Sequence, residues 1–194
     1  MPSMPIARPL LAAHGFQLEA IAPAHAPGLF PVLTEPALYR YVEVPPPASE
    51  AALAARFERW QGGGSADGTE RWLNFAVRLT RGELVGYVQA TVMVGQPERP
   101  AWVAYMLSER VWGRGLGRAA TQILMNHLAQ HHGCTVFWAC IEQDNARSIA
   151  LVKALGFHRA TAQELAAHEL DATEVLYVRS VEPPWASPAH RESA

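Results

Sequence analysis

A glycine-rich segment in the middle of the chain, WGRGLGR at residues 112–118, lies between a predicted strand and a predicted helix. It contains three glycines and two arginines: Gly113, Gly115, Gly117, Arg114 and Arg118. The glycines leave backbone amides uncovered by side chains, and a helix N-terminus carries a partial positive charge that the arginines reinforce. The segment is therefore typical of an anion site, and a phosphate group is its natural ligand.

Hydrophobic periodicity on both sides of this segment predicts a mixed α/β domain. Strands are predicted at 16–20, 72–79, 84–94, 102–107, 135–141 and 175–181, and helices from about 25 and at 51–60, 115–132 and 146–155. The short turn after residue 79 favours an antiparallel hairpin, and the later alternation of strand and helix favours a single mixed sheet covered by helices. Residues 1–182 are predicted to form one domain, and 183–194 a flexible tail.

Composition excludes several classes of function. The 194 residues carry 16 Lys and Arg against 18 Asp and Glu, for a net charge of −2. No long run of either sign marks a nucleic-acid or membrane surface. No stretch approaches the ~20 apolar residues that a membrane span needs. We therefore expect a cytoplasmic protein that binds neither nucleic acid nor a membrane.

Two common phosphate-binding folds do not fit the glycine-rich segment. GLGRAA at 115–120 matches the G-x-G-x-x-A pattern of dinucleotide-binding folds, but residues 108–112 separate it from the preceding strand. Too little chain follows for the remaining parallel strands of such a fold. A nucleotide P-loop requires a Gly-Lys-Ser/Thr triplet, which the chain lacks. Interpretation of the loop therefore depends on a second motif.

That second motif is DNARSIALVKALGF at 144–157, with Asn145 and Ser148 at the start of a predicted helix and Gly-Phe at its end. Together with WGRGLG, it resembles the GNAT superfamily of acetyl-CoA-dependent N-acetyltransferases, with that family's Q/R-x-x-G-x-G/A loop and N-x-x-S/A helix. The upstream segments LYRYVEVPPP and ELVGYVQAT look like the branch that contains the ribosomal-protein N-terminal acetyltransferases, the Rim type. The resemblance covers roughly 16–181.

The resemblance implies a GNAT-like fold: a single mixed sheet with helices on both faces and a splayed central strand pair, here 102–107 and 135–141. The pantetheine arm of the cosubstrate, acetyl-CoA, would lie between these strands like an extra strand. The loop amides would hold its pyrophosphate, and the Leu107 backbone its acetyl and pantetheine end. The implied cofactor-binding residues are Leu107, Trp112, Gly113, Arg114, Gly115, Leu116, Gly117, Arg118 and Asn145. No metal is implied.

The side chains depart from the family pattern at the positions that carry the chemistry. Trp112 stands where the loop usually begins with Gln or Arg, and Val152 where many members carry a tyrosine that protonates the leaving thiolate. Ser148 is the nearest hydroxyl and the candidate catalytic residue, although a first-turn serine can instead bond within its own helix. The segment 101–107 offers no carboxylate or histidine as a base. Three titratable residues lie near the motifs without a spacing that singles one out: Tyr105, Glu109 and Glu142.

Several other residues are interpreted as structural. Cys134 and Cys140 flank a predicted strand that holds them too far apart for a disulfide. His127, His131 and His132 are interpreted as one packed ring followed by two histidines favoured by the helix dipole, rather than as metal ligands. Four aromatic residues either line an acceptor pocket or pack in the core: Tyr39, Tyr41, Trp60 and Trp72.

The predicted function is direct transfer of an acetyl group from acetyl-CoA to a primary amine on a protein N-terminus or a small molecule. An α-amine, with a pKa of ~7.8, is partly neutral near pH 7, whereas a lysine amine, at ~10.4, is almost entirely protonated. Because no base is evident in the sequence, a weakly basic amine is favoured. The alternative function is a non-catalytic acyl-CoA-binding or regulatory module that keeps the loop but has lost turnover.

Overall fold

The structure, a computed structural model, describes residues 15–182, and its framework is a sheet of seven strands. The strands are β1 Phe16–Ala20, β2 Glu70–Leu79, β3 Leu84–Met93, β4 Ala101–Leu107, β5 Val136–Glu142, β6 His158–Arg159 and β7 Glu174–Ser180. Their order across the sheet is β1-β2-β3-β4-β5-β7-β6. All neighbouring pairs are antiparallel except β4 and β5, which are parallel. The predicted tail, 183–194, falls outside the described residues.

Helices connect the strands, and capping residues set the ends of two of them. The bounds are α1 Ala26–Leu33, α2 Glu50–Gln61, α3 Leu116–His132, α4 Ala146–Ala154 and α5 Ala162–Leu165, with 3₁₀ turns at Pro23–His25, Pro36–Tyr39 and Glu109–Val111. Ser49 caps α2 by accepting the amide of Ala52 at 3.1 Å, as the sequence predicts. Helix α3 is bounded by Gly115 and Gly133, with φ of 77° and 68°, a left-handed conformation that glycine adopts without strain.

Helices pack on both faces of the sheet, because side chains alternate between the faces along each strand. On one face, here called the α3 face, strand residues such as Phe75, Val88 and Phe137 form a core with Leu124 of α3 and Val152 of α4. The other face is here called the α2 face. Its buried strand residues pack against α1 and α2, and the cluster there includes Leu29, Leu53, Phe57, Ala76 and Tyr87. Hydrophobic burial on both faces therefore holds the sheet in a central layer.

The two parallel strands β4 and β5 separate soon after they meet. They pair only at Ala101 with Phe137 and at Trp102 with Trp138, although β4 continues to Leu107 and β5 to Glu142. The resulting opening, here called the β4–β5 gap, lies between 103–107 and 139–142. The prediction of a mixed α/β sheet with helices on both faces and a splayed central pair is thus confirmed.

The region between α4 and β7 differs from the prediction, because the sequence analysis assigned no structure there. Strand β6 has two residues and α5 has four, and such short elements show no hydrophobic period. Cys134 and Cys140 are both free thiols, so the prediction of unlinked cysteines is confirmed. Within 15–182, no helix is long and apolar enough to cross a membrane.

Candidate functional site

The glycine-rich segment presents a run of backbone amides that are free to bind an anion. Within the described part of the chain, the amides from Gly113 to Arg118 donate to no protein acceptor, and the amide of Ala119 is the first to bond, to the Gly115 carbonyl at 3.0 Å. Gly113 and Gly115 have φ of 70° and 77°, and a Cβ atom built on either would meet nothing within 4 Å. The backbone there is open to a ligand, and the N-terminus of α3 points at it.

Two uncompensated positive charges flank these amides. The side chains of Arg114 and Arg118 belong to exposed residues, and neither forms an ion pair with any residue of 15–182. Leu116, between them, is half-buried and packs against the α3-face core. The segment can therefore hold one or two phosphate groups by backbone hydrogen bonds and unscreened charge.

Gly117 differs from the two glycines before it. It belongs to the first turn of α3, and a Cβ atom there would lie 2.9 Å from Cδ1 of Leu151 and 3.3 Å from Cδ1 of Leu107. Its missing side chain lets α3 approach α4 and β4, so a substitution at Gly117 disturbs packing as well as any ligand. A substitution at Gly113, where an added Cβ atom meets nothing within 4 Å, tests the anion site without disturbing the packing.

Trp112 ties the segment to the end of β4 and to α4. Its indole N–H donates to the Leu107 carbonyl at 2.7 Å, and the guanidinium carbon of Arg147 lies 3.4 Å from the centroid of its ring, a cation–π contact. Trp112 thus takes a positioning role that the sequence motif does not specify. The Leu107 carbonyl is already engaged, so only the Leu107 amide remains for a ligand.

A buried polar contact fixes where the segment begins. Ser108 is fully buried, and its hydroxyl donates to Oε1 of Glu35 at 2.7 Å. The amide of Glu109 donates to the other oxygen of the same carboxylate at 2.9 Å. Sequence analysis missed Glu35, since no local pattern connects residues more than seventy positions apart.

The β4–β5 gap is lined by peptide groups that face away from β3. Peptide groups alternate in direction along a strand, and the Ser108 amide donates back to the Val85 carbonyl of β3 at 2.8 Å. In this register Tyr105 and Leu107 therefore direct their peptide groups into the gap. An extended ligand chain can bond to them as an added strand would.

The start of α4 contacts the side chain of Tyr105, a residue of β4 that lines the gap. Asn145 caps α4, because its side-chain oxygen accepts the amide of Ser148 at 3.2 Å. The Ser148 hydroxyl has no hydrogen-bond partner within 15–182, and the Tyr105 hydroxyl donates to the Ser148 carbonyl at 3.5 Å. Burial raises the pKa of Tyr105. Val152, at the position of the family's tyrosine, is fully buried in the core and has no chemical role.

On the α2 face, aligned residues of neighbouring strands form two rows. One row is aromatic apart from a threonine, and pairs Trp72, Thr91, Trp102 and Trp138 across β2 to β5. The next row pairs Asn74, Gln89 and the exposed Ala104. Both rows lead from α2 to the point where β4 leaves β5.

A cavity of about 220 Å³ lies over one end of these rows, lined by Arg59, Trp60, Trp72, Asn74, Gln89 and Thr91. Trp60 and Trp72 are therefore the two predicted aromatic residues that line a pocket. Tyr39 instead packs beside the α1 and α2 core and donates to the Leu33 carbonyl. Tyr41 lies under the guanidinium of Arg40. The structure thus separates pocket-lining from packing residues.

The remaining titratable candidates lie in ordinary structural contacts. Glu142 accepts a hydrogen bond from Thr173 at 3.2 Å, and Glu109 is exposed. The ring of His127 contacts that of His131 in a tilted arrangement and that of His132 edge-on, and burial lowers the pKa of His132 to about 4. Within the described residues, no group of three or more His, Cys, Asp or Glu side chains could hold a metal ion.

Comparison with known proteins agrees with this geometry. Residues 16–158 match the family model of the acetyltransferase (GNAT) domain, and no curated protein matches the chain significantly. Among solved structures, RimL, the ribosomal L7/L12 alpha-N-protein acetyltransferase in complex with coenzyme A, has a TM-score of 0.70 at 20% identity, covering 90% of this chain and 98% of RimL. The ribosomal-protein-S5-alanine acetyltransferase from Vibrio fischeri has a TM-score of 0.69 at 15% identity, covering 88% and 95%.

An acetyltransferase from Thermus thermophilus has a TM-score of 0.64 at 23% identity, covering 88% of this chain and all of its own (100%). These structures share the fold, and two of the three are of the Rim type, in agreement with the resemblance seen in the sequence. The family model extends from β1 to the start of β6, well over half of the chain. The chain therefore belongs to the GNAT acetyltransferase family.

Proposed function

We propose that this chain transfers an acetyl group from acetyl-CoA directly to a primary amine, carried by a protein N-terminus or by a small molecule. The observation that carries the proposal is the run of free amides from Gly113 to Arg118, with two unpaired arginines, at the mouth of the β4–β5 gap. Such a run suits a pyrophosphate. The coenzyme A that accompanies RimL, a neighbour with the same fold, supports the assignment.

The proposed binding of acetyl-CoA divides between side chains and backbone. The amides of 113–118 hold the pyrophosphate, Arg114 and Arg118 supply charge, and the pantetheine arm bonds to the Leu107 amide and the Tyr105 peptide groups. Trp112 and Leu116 act by positioning the loop, through the indole bond to Leu107 and through packing. Asn145 acts by capping α4, which orients Ser148.

The proposed chemistry depends mainly on positioning. Holding amine and thioester together converts a bimolecular step into a unimolecular one, and the Tyr105 amide, which faces the gap, is placed to polarise the thioester carbonyl. Ser148 has a free hydroxyl, which hydrogen-bonds to the leaving sulfur and relays to it a proton from solvent. A thiol has a pKa of ~8.5, so the thiolate is already a fair leaving group and this donor assists without being indispensable.

The acceptor enters from the α2 face in this proposal. The cavity lined by Trp60 and Trp72 carries one charged side chain, that of Arg59, together with the amides of Asn74 and Gln89. Neither amide side chain has a hydrogen-bond partner within 15–182, and both residues are only half-buried, so both can bond to an acceptor. An aromatic and amide-lined cavity favours an acceptor that combines an apolar part with peptide-like polar groups, such as a peptide or a small amine.

The proposal is tested by release of free thiol from acetyl-CoA in the presence of an amine. The amines are peptides with free N-termini, single amino acids and a polyamine, and mass spectrometry identifies the acetylated product. Steady thiol release with stoichiometric acetylation supports the proposal. If acetyl-CoA raises the melting temperature but no amine is acetylated, the chain is instead the non-catalytic acyl-CoA-binding module.

Ser148→Ala is expected to lower kcat by up to about 10²-fold and to leave the Kd for acetyl-CoA unchanged. Loss of a positioned proton donor costs about 10² to 10⁴ in rate, and the acidity of the thiol places this loss at the lower end. Tyr105→Phe is the matched variant, because it removes the neighbouring hydroxyl. Unchanged kcat in Ser148→Ala would leave Ser148 as a helix-start residue, and a loss confined to Tyr105→Phe would assign the donor to Tyr105.

A further inference from the structure

His168 packs against two tryptophans at the point where β4 and β5 separate. The centroid of its ring lies 4.4 Å from that of Trp138 and 5.2 Å from that of Trp102, with interplanar angles of 76° and 84°. These tryptophans are the last pair of residues that join the two strands. The imidazole is therefore held at the closed end of the β4–β5 gap by two edge-to-face contacts.

The same ring lies on the face of the sheet from which the acceptor is proposed to enter. Trp102 and Trp138 belong to the row that begins at Trp72 in the cavity beside α2. Ala104, two residues beyond Trp102 on the same face of β4, is exposed and leaves the surface open. An amine that followed these rows toward the gap would pass the Trp102–Trp138 pair that His168 contacts.

The imidazole is free to take up a proton. His168 is half-buried, and its backbone is fixed by the bond from its amide to the Leu165 carbonyl at 2.9 Å. Within residues 15–182, no group hydrogen-bonds to either ring nitrogen, and neither nitrogen is sealed from solvent. A nitrogen lone pair is thus available to a ligand.

Burial lowers the pKa of His168 below its ordinary value. Burial thus favours the neutral ring, which is the form that accepts a proton, and the ring becomes protonated as the pH falls through the lowered pKa. Other titratable groups lie on the elements around it: Cys140 on β5, His158 on β6, Glu174 on β7, Glu164 on α5, and Glu169 and Asp171 in its own segment.

We propose that His168 is the general base of the transfer, and that it accepts the proton of the attacking amine. The assignment rests on the proposed function and supplies the base that the segment 101–107 lacks. The amine nitrogen forms a bond to the acetyl carbon while the carbon–sulfur bond breaks. The amine proton passes to His168 and then to solvent, and the leaving sulfur takes up a solvent proton that reaches it through the Ser148 hydroxyl or a water molecule.

The assignment of His168 as the base is tested by comparing His168→Gln with His158→Gln, using acetyl-CoA and the amines named above. His158 is the matched control, because it is an exposed histidine that contacts Glu164 on the other side of β7. We expect kcat/KM to fall by about 10² to 10⁴-fold in His168→Gln and to stay within twofold in His158→Gln. The Kd for acetyl-CoA should be the same in both variants and the wild type.

Two further readouts separate a base from a structural residue. The wild-type kcat/KM should fall as the pH drops through the lowered pKa of His168, and His168→Gln should lack this proton dependence. Added imidazole should restore activity to His168→Ala, because the truncation leaves room for a free ring against the two tryptophans. Loss of activity without rescue would assign His168 a packing role only.

The outcomes also distinguish this assignment from the function on which it rests. Wild-type turnover with a fully active His168→Gln variant and an unchanged pH profile overturns the base and leaves the acetyltransferase proposal intact. No thiol release by the wild type with any of the amines overturns the proposed function, and the assignment of His168 with it.

Discussion

Replacing Gly86 by alanine is expected to lower the free energy of unfolding by about 3 kcal/mol or more. Gly86 has a φ of 137°, a backbone conformation that residues with a side chain adopt only under strain. A Cβ atom there would lie 2.0 Å from the Met106 carbonyl oxygen and 2.7 Å from Cα of Leu107. Both contacts are to backbone, so β3 and β4 must move apart. The displaced residue, Leu107, is the one whose amide faces the β4–β5 gap, so acetyl-CoA affinity should fall as well.

Denaturant unfolding measures this loss, and Gly82→Ala is its control. Gly82 also has a positive φ, of 95°, but an added Cβ atom meets nothing within 4 Å. Gly82→Ala should therefore lower the free energy of unfolding only by the backbone strain, about 1 kcal/mol. If Gly86→Ala destabilises the protein no more than Gly82→Ala does, the close approach of β4 to Gly86 does not hold in solution.

Elements with strong periodicity and explicit ends could be predicted from the sequence. Helix α3 is long, carries an apolar stripe and is bounded by Gly115 and Gly133, and its prediction differs from the structure by one residue at its start. Helix α2 begins after Ser49, a good cap. The splayed strand pair was predicted from the family resemblance, because no local pattern in 102–107 or 135–141 indicates how the two strands pair.

Contacts between distant segments could not be predicted. Glu35 binds Ser108, and His168 packs against Trp102 and Trp138, but such pairs leave no periodic trace in a single sequence. His168 also follows elements too short to show a hydrophobic pattern. The motifs draw attention to residues close to them in sequence, whereas the fold brings His168 to the end of the gap from the far side of β5.

The three glycines of the loop show the same limit. Gly113, Gly115 and Gly117 fit one motif, and the sequence assigns all three to the approach of a phosphate. In the fold, the first two need a left-handed backbone and face open space, whereas the third allows α3 to pack against Leu151 and Leu107. The motif therefore predicts where glycines occur, but the reason that each position requires a glycine is evident only from the packing around it.

Gly113→Asp is expected to weaken the binding of acetyl-CoA by about 10 to 100-fold relative to Gly113→Asn. The two side chains are nearly the same size, and both residues tolerate the left-handed conformation at this position, where φ is 70°. A built Cβ atom meets nothing within 4 Å, so neither variant should disturb the fold. They differ by one negative charge beside the amides that are proposed to hold the pyrophosphate.

Isothermal titration with acetyl-CoA measures the two Kd values, at low and at high salt. If the loss is repulsion between the aspartate and the phosphates, it should shrink as salt rises, because ions screen charges at an exposed loop. Thermal unfolding without ligand should give the same Tm for both variants, which excludes a folding defect. Equal affinities at low salt, with both variants folded, would place the pyrophosphate away from Gly113 and remove the observation on which the proposed function rests.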